Sequence, residues 1–144
     1  MATITLYDHT AQRFASGANV VADTYKINLY TAFTFTAADT TKAAAETGAT
    51  QVATANGYTQ DTKALANVAI AVATTNDATF DADNVTWNAS GGSITASYAL
   101  IYNDTDADDP PVAYIDFEGS QSAGDGTAFL VTWNASGIFS FVVA

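Results

Sequence analysis

The chain has no cysteine, which excludes disulfide staples, zinc–thiolate sites, iron–sulfur clusters and thiol nucleophiles together. Its single histidine, His9, leaves no second imidazole for a two-histidine zinc site, and any Ser-His-Asp triad would have to be built on that one N-terminal position. In Tyr7-Asp8-His9-Thr10 it reads as a solvated residue at a turn or the start of a short helix. Charge is scarce: 13% of residues are charged, about half the share of an ordinary soluble domain. Cations are scarcer still, with 4 Lys+Arg against 15 Asp+Glu and a net charge of -11. With almost no cation to release counterions, phosphate-backbone binding is a poor hypothesis and no nucleic-acid partner is expected. No apolar run approaches the ~20 residues of a membrane helix. The first seven residues carry neither a basic n-region nor an apolar h-region, so the chain reads as a cytoplasmic product with no membrane partner.

What remains is a 144-residue chain that is 49% hydrophobic, enough for one folded domain with a sizeable core and a surface of Thr, Ser, Asn and Ala. All four bases, Arg13, Lys26, Lys42 and Lys63, lie in the first 63 residues, so the acidity belongs to the C-terminal half. The dominant period is two. From Ser93 onward Ile94, Ala96, Tyr98, Leu100 and Tyr102 share one face against Ser93, Thr95 and Ser97, which predicts a half-buried strand. Residues 65–73 alternate likewise, with Val68, Ile70 and Val72 together. Further strands are predicted at 24–35, 77–80, 111–117, 127–133 and 138–143, each β-branched or aromatic and bounded by turn residues. Two short helices are predicted at 10–16, stopped by Gly17, and at 39–47, capped by Asp39 or Thr40 and ended by Gly48. The fold class is therefore mainly β: an antiparallel β-sandwich, jelly-roll-like, with one or two short peripheral helices.

One phrase occurs twice: Val85-Thr86-Trp87-Asn88-Ala89-Ser90-Gly91 returns letter for letter at Val131-Thr132-Trp133-Asn134-Ala135-Ser136-Gly137. Both copies read as the same device, a strand ending in Trp and a turn on Asn-Ala-Ser-Gly. The Asn-x-Ser sequons they contain are more simply turn residues. The loop Asn103-Asp104-Thr105-Asp106-Ala107-Asp108-Asp109 sets carboxylates at alternate positions, so Asp104, Asp106 and Asp108 are candidate oxygen ligands for Ca2+. The EF-hand pattern fails there, since Asp109 stands where Gly and Ile115 where Glu would be needed; a solvated loop is the simpler reading. Paired carboxylates for glycoside hydrolysis find little support, because the acids cluster in turns, and no enzyme activity or cofactor is expected. The aromatics Tyr7, Tyr25, Tyr30, Tyr58, Tyr98, Tyr102, Tyr114, Trp87 and Trp133 either pack the sheets or form a sugar-stacking face.

From Gly57 onward the order of phrases resembles a family of small structural proteins of tailed bacteriophages. The resemblance rests on Gly57-Tyr58-Thr59, on Ala78-Thr79-Phe80-Asp81-Ala82-Asp83-Asn84-Val85-Thr86-Trp87, on Ile94-Thr95-Ala96-Ser97-Tyr98-Ala99-Leu100-Ile101-Tyr102-Asn103-Asp104, on Val112-Ala113-Tyr114-Ile115-Asp116-Phe117-Glu118-Gly119 and on the closing copy of the repeated phrase through Phe139. It covers about the last 90 residues, and an Ala/Thr-rich insertion at 36–56 departs from it. It implies a virion component, a capsid decoration or cement protein that binds the major capsid protein outside the expanded head, is assembled as a homotrimer and sits on the capsid exterior. Tail, neck or head-fibre subunits and a carbohydrate-binding module are the alternatives. Residues 1–23 are then an expected arm and 24–144 the β-sandwich domain. Ile4, Leu6 and Tyr7 of the alternating strand at 1–7 are candidates for capsid or subunit contact by strand addition. An ordinary edge strand of the domain is the competing reading.

Overall fold

Alternation along most of the chain is satisfied by ten strands among the described residues, joined by two short helices. The computed structural model describes residues 2–72 and 77–142; Met1, Ala73 and Val143, at the ends of predicted strands, lie outside them. In chain order the elements are β1 (Thr3–Leu6), α1 (Thr10–Ala15), β2 (Tyr25–Ala32), α2 (Lys42–Ala45), β3 (Thr50–Gln51), β4 (Ala69–Val72), β5 (Ala78–Asp81), β6 (Val85–Asn88), β7 (Ile94–Asn103), β8 (Pro111–Ala123), β9 (Ala128–Val131) and β10 (Phe139–Phe141). Every strand pairing among them is antiparallel. The strands form three sheets, of order β1-β8-β7-β2-β3, β10-β5-β4 and β6-β9. The mainly β class, the antiparallel pairing and the two short helices agree with the sequence reading.

Both faces of the five-stranded sheet are buried, by different means. On one face Ile27, Leu29, Ala99, Ile101, Ala113 and Ile115 share a core with Phe80, Val85, Trp87, Phe129, Val131, Trp133 and Ile138 of the smaller sheets and their connections. On the other, Tyr7, Tyr30, Leu100 and Ala45 gather with Phe33, Phe35, Tyr98 and Tyr114. The second core is closed by the stretch after β2 and the insertion that continues it: exposure alternates from Phe33 to Thr40, so Phe33, Phe35 and Ala37 turn inward as an extended strap, and α2 follows. A register shift between Ala96 and Tyr98 corrects the single face predicted for β7. There Ser97 alone stands against the four residues 117–120 of β8, an irregularity of the bulge kind across which β7 changes the side its residues face. Ile94 and Ala96 enter the first core with Ala99 and Ile101, while Tyr98 and Leu100 belong to the second.

Local chemistry sets the helices. The α2 cap is Thr41, not Asp39 or Thr40; its hydroxyl accepts from the Ala44 N–H at 3.1 Å, satisfying one of the orphan donors of a helix start. α1 is tied to β8 by the buried Thr10 hydroxyl, which donates to the Val112 carbonyl at 2.9 Å. Its Phe14 ring stacks on Tyr25 and meets Phe80, Phe139 and Phe141 edgewise or tilted, at centroid distances of 5.5–6.2 Å. His9, just before α1, is half-buried rather than solvated.

The repeated phrase does not build the same device twice. Val85 and Val131 face each other across the antiparallel pair of β6 and β9, so the copies run apart from one point. The first continues extended: beyond β6, Ala89 N–H donates to Thr127, Ser90 N–H to Asn56 and Gly91 N–H to the Asp125 carboxylate, at 2.8–3.0 Å. The second leaves its strand after Val131, and Asn134–Gly137 closes a tight turn through Gly137 N–H to the Asn134 carbonyl and Ser136 N–H to its side chain, both 2.9 Å. Identical letters take different shapes because different neighbours supply their backbone partners, which is tertiary context overriding local preference. Both tryptophans remain core residues.

Candidate functional site

Of the two readings of residues 1–23, the edge strand is the one the fold contains. β1 lies at the edge of the large sheet and pairs with β8 from Thr3↔Asp116 to Leu6↔Ala113, and Ile4 and Leu6 pack against the first core. Tyr7 is 2% exposed, which corrects its assignment as a contact residue: a ring shut inside the second core meets no partner. Loss of residues 1–7 therefore removes a strand and a core side chain, not a free arm. Among the described residues β1 has a ladder partner only in β8, so its other edge faces outward.

The acidic loop does not gather its carboxylates. Asp104 pairs with Lys26 at 2.8 Å, and Asp106 with Arg13 at 2.7 Å, while Asp108 is exposed. The Arg13 guanidinium, with the Asp108 N–H, holds the Asp106 carboxyl below the usual carboxylate range. Among the described residues no three His, Asp or Glu side chains stand close enough to share a metal ion. The loop folds on itself by Asx turns, Thr105 N–H to the Asn103 side chain at 2.9 Å and Asp108 N–H to the Asp106 side chain at 3.1 Å. The aromatics are committed to packing: every Trp, Tyr and Phe among the described residues is at least half-buried, so none of them forms a flat exposed platform.

Titratable side chains do converge beneath α2. The Lys42 ammonium reaches the Asp61 carboxylate at 2.6 Å and Glu46 at 3.6 Å and lies 4.9 Å over the Tyr102 ring. Tyr30 donates to Glu46 at 2.6 Å, and Asn28 donates to Asp61 at 2.5 Å. Burial pulls the Lys42 pKa down, but the hydrogen bond to Asp61 and the charges of Glu46, Asp61 and Asp109 outweigh it, leaving it above its ordinary value. Burial likewise opposes the Asp61 charge, and the bonds from Lys42 and Asn28 outweigh that too, so Asp61 sits low. Burial raises the Tyr30 and Tyr102 phenols far out of range. Lys42, Asp61, Tyr30 and Tyr102 are each held in their ordinary charge state, so the chemistry they offer is that of a clamp, not of a general acid or base. It fastens the strap to the sheet. The sequence carries no sign of it, because Lys42 and Asp61 are 19 residues apart and meet only in the fold.

One apolar face among the described residues is left partly uncovered. In the three-stranded sheet Ile70 and Val72 of β4 stand opposite Phe80 and Ala78 of β5, and Phe139 and Phe141 of β10 stand opposite the same two residues. One face therefore carries six apolar side chains. α1, a helix of six residues and about 9 Å, covers the Phe80–Phe139 end through Phe14. A groove lined by Ala11, Phe14, Ala15, Ile70, Ala78 and Phe141 remains open at the other end. The sequence reading took Val68, Ile70 and Val72 for an ordinary buried strand face; the exposure follows from the shortness of α1. No helix among the described residues is long and apolar enough to cross a membrane. Compared with protein-family models, with curated proteins and with solved structures, the chain matches none.

Proposed function

We propose that the chain is a non-enzymatic structural subunit of a tailed-bacteriophage virion: a capsid decoration protein that binds the major capsid protein on the outside of the expanded head and ties neighbouring capsomers together. In this reading the large sheet and the two smaller ones stack as a jelly-roll-like β-sandwich across their shared core. The observation that carries the proposal is the five-stranded sheet packed on both faces with β1 left at its edge. Such a sheet is a stiff plate with a strand available for addition, which is what a cementing subunit requires and what an acid–base site does not. The resemblance in the last 90 residues points the same way, and the burial of the aromatics weighs against a carbohydrate-binding module.

Cosedimentation of the purified chain with expanded heads, with unexpanded heads and with isolated tails tests the proposal. Pelleting with expanded heads, together with a higher temperature of head disruption, is the expected result. A chain that stays in the supernatant with heads and pellets with tails would move it to the tail or neck, and one that pellets with neither would end the virion reading.

A further inference from the structure

We propose that Asn56 is a self-modifying residue: it loses its side-chain amide to the Gly57 nitrogen by way of a succinimide, becomes aspartate or isoaspartate, and does so at a rate set by opening of the hairpin turn that holds it. Asn56 is the only asparagine of the chain followed by glycine; the others precede Val, Leu, Asp or Ala, whose side chains crowd the attacking nitrogen where glycine leaves it bare. In the step the Gly57 backbone nitrogen attacks Cγ of Asn56. An N–Cγ bond forms, the Cγ–Nδ2 bond breaks, and ammonia leaves with the proton that the backbone nitrogen gives up. Water then opens the ring, giving aspartate when it cleaves at Cγ and isoaspartate when it cleaves at the main-chain carbonyl.

The fold holds both reacting groups in place and apart. Ala55 and Tyr58 pair across a two-residue hairpin, Tyr58 N–H to the Ala55 carbonyl at 2.9 Å and Ala55 N–H to the Tyr58 carbonyl at 3.0 Å. Asn56 and Gly57 between them take positive φ, +54° and +88°, the mirror-image turn that Asn-Gly favours. The first central residue of that turn has ψ of about +30°, which sets the Gly57 nitrogen nearly opposite Cβ about the Asn56 Cα–C bond. Ring closure needs the two on the same side, so the turn has to open first. Three contacts resist opening. The Asn56 amide donates to the Ser93 carbonyl at 3.1 Å, the Asn56 carbonyl accepts from the Ser90 N–H at 3.0 Å, and Gly57 lies so close to the Asn88 carbonyl that no Cβ would fit. Asp125-Gly126, the one Asp-Gly pair of the chain, is an internal comparison: its carboxylate accepts from Gly91 N–H at 2.8 Å, and the Gly126 nitrogen that would attack donates to the Ala89 carbonyl at 2.9 Å. At Asn56 the product undoes its own turn. Aspartate has no donor for the Ser93 carbonyl, and isoaspartate adds a main-chain carbon between Ala55 and Tyr58, whose buried ring anchors the segment to β2 through the Leu29 N–H at 3.0 Å.

The step needs no partner, so it holds whether or not the chain decorates a capsid. Its test is peptide mapping by mass spectrometry, with enzymatic methylation of isoaspartate, on chain kept at neutral pH in buffer and in guanidinium chloride. In denaturant Asn56 should convert ahead of every other asparagine, and in buffer at least about tenfold more slowly, because the reactive form is then only the opened turn; Asp125 should stay intact in buffer. Gly92→Ala tests the grip itself. Its Cβ would stand 2.7–2.8 Å from the Asn56 amide atoms, at a backbone position without positive φ, so the side chain that gives way is that of Asn56. Losing the bond to Ser93 should speed conversion in buffer about threefold or more, the net worth of one hydrogen bond, and leave the rate in denaturant at the parent's. Equal rates in buffer and denaturant, earlier conversion of another asparagine in denaturant, no conversion there at all, or a Gly92→Ala chain that converts in buffer like the parent would each overturn the proposal.

Discussion

Lys42 holds two carboxylates and an aromatic ring with one ammonium, on a side chain only 14% accessible. Lys42→Met keeps most of the stem's packing and leaves Asp61 and Glu46 facing each other without a cation. Since Asp61 is 49% accessible and water screens part of its charge, the expected loss is about 1–3 kcal/mol, below that of a fully buried broken pair. A lower urea midpoint at unchanged slope would show it; an unchanged midpoint would mean that the clamp contributes nothing. His9 makes a separate prediction. Burial pushes its imidazole below the ordinary 6.5, with the Pro111 carbonyl opposing and Arg13 adding to the shift. The unfolded chain therefore binds the proton at a higher pH than the folded one, so the contribution is complete above about pH 6.5 and is lost as pH falls toward the folded value. Asp61 is shifted down from 3.8, and its contribution is lost only below that value. Urea midpoints at about pH 7.5 and 5.5 isolate His9: the parent should lose stability between them and His9→Gln should lose less.

At the scale of elements, the repeated phrase offers a paired experiment. Gly91 and Gly137 close the two copies, both with positive φ, +80° and +98°. A Cβ at Gly91 meets nothing within 4 Å, whereas one at Gly137 would run into the Thr79 methyl and stand 3.0 Å from the Phe80 carbonyl. Gly91→Ala should cost about 1 kcal/mol, the left-handed penalty alone, and Gly137→Ala about 3 kcal/mol or more. Equal losses in thermal or urea denaturation would contradict the different shapes described for the two copies. Strands were legible in the sequence where alternation was long, as in β2, β7 and β8, and helix ends were legible at Gly17 and Gly48. The irregularity at Ser97 was not, because the letters on both sides of it keep the same period and the reversal is a property of pairing with β8. Nor was the role of the insertion and of the stretch just before it: Phe33, Phe35 and Ala45 pack in the second core only because the far face of the sheet is there to receive them. The acidic loop was legible as a turn, but Arg13 and Lys26 reach Asp106 and Asp104 from far along the chain.

For the whole molecule, composition set the balance correctly as few cations on a polar, acidic surface, and the fold adds how they are used. Arg13, Lys26 and Lys42 are held in ion pairs, and Lys63 lies 5.6 Å over the Trp87 ring. The division into three sheets was beyond reach from alternation, which says which residues share a face and nothing of strand order. That division meets beside Ser97 of β7, one strand lending its first half to one core and its later residues to both. A wall common to two rooms cannot be taken down from one side only: melting either core pulls β7 out of the other, and the energetic bookkeeping of the molecule is that of a single cooperative unit. Trp87 and Trp133 report on the first core by fluorescence, and the ring NMR signals of Tyr7, Tyr30, Tyr98 and Tyr114 on the second. Their denaturation curves should share one midpoint, and two separated midpoints would show that the halves of β7 part company before the chain unfolds.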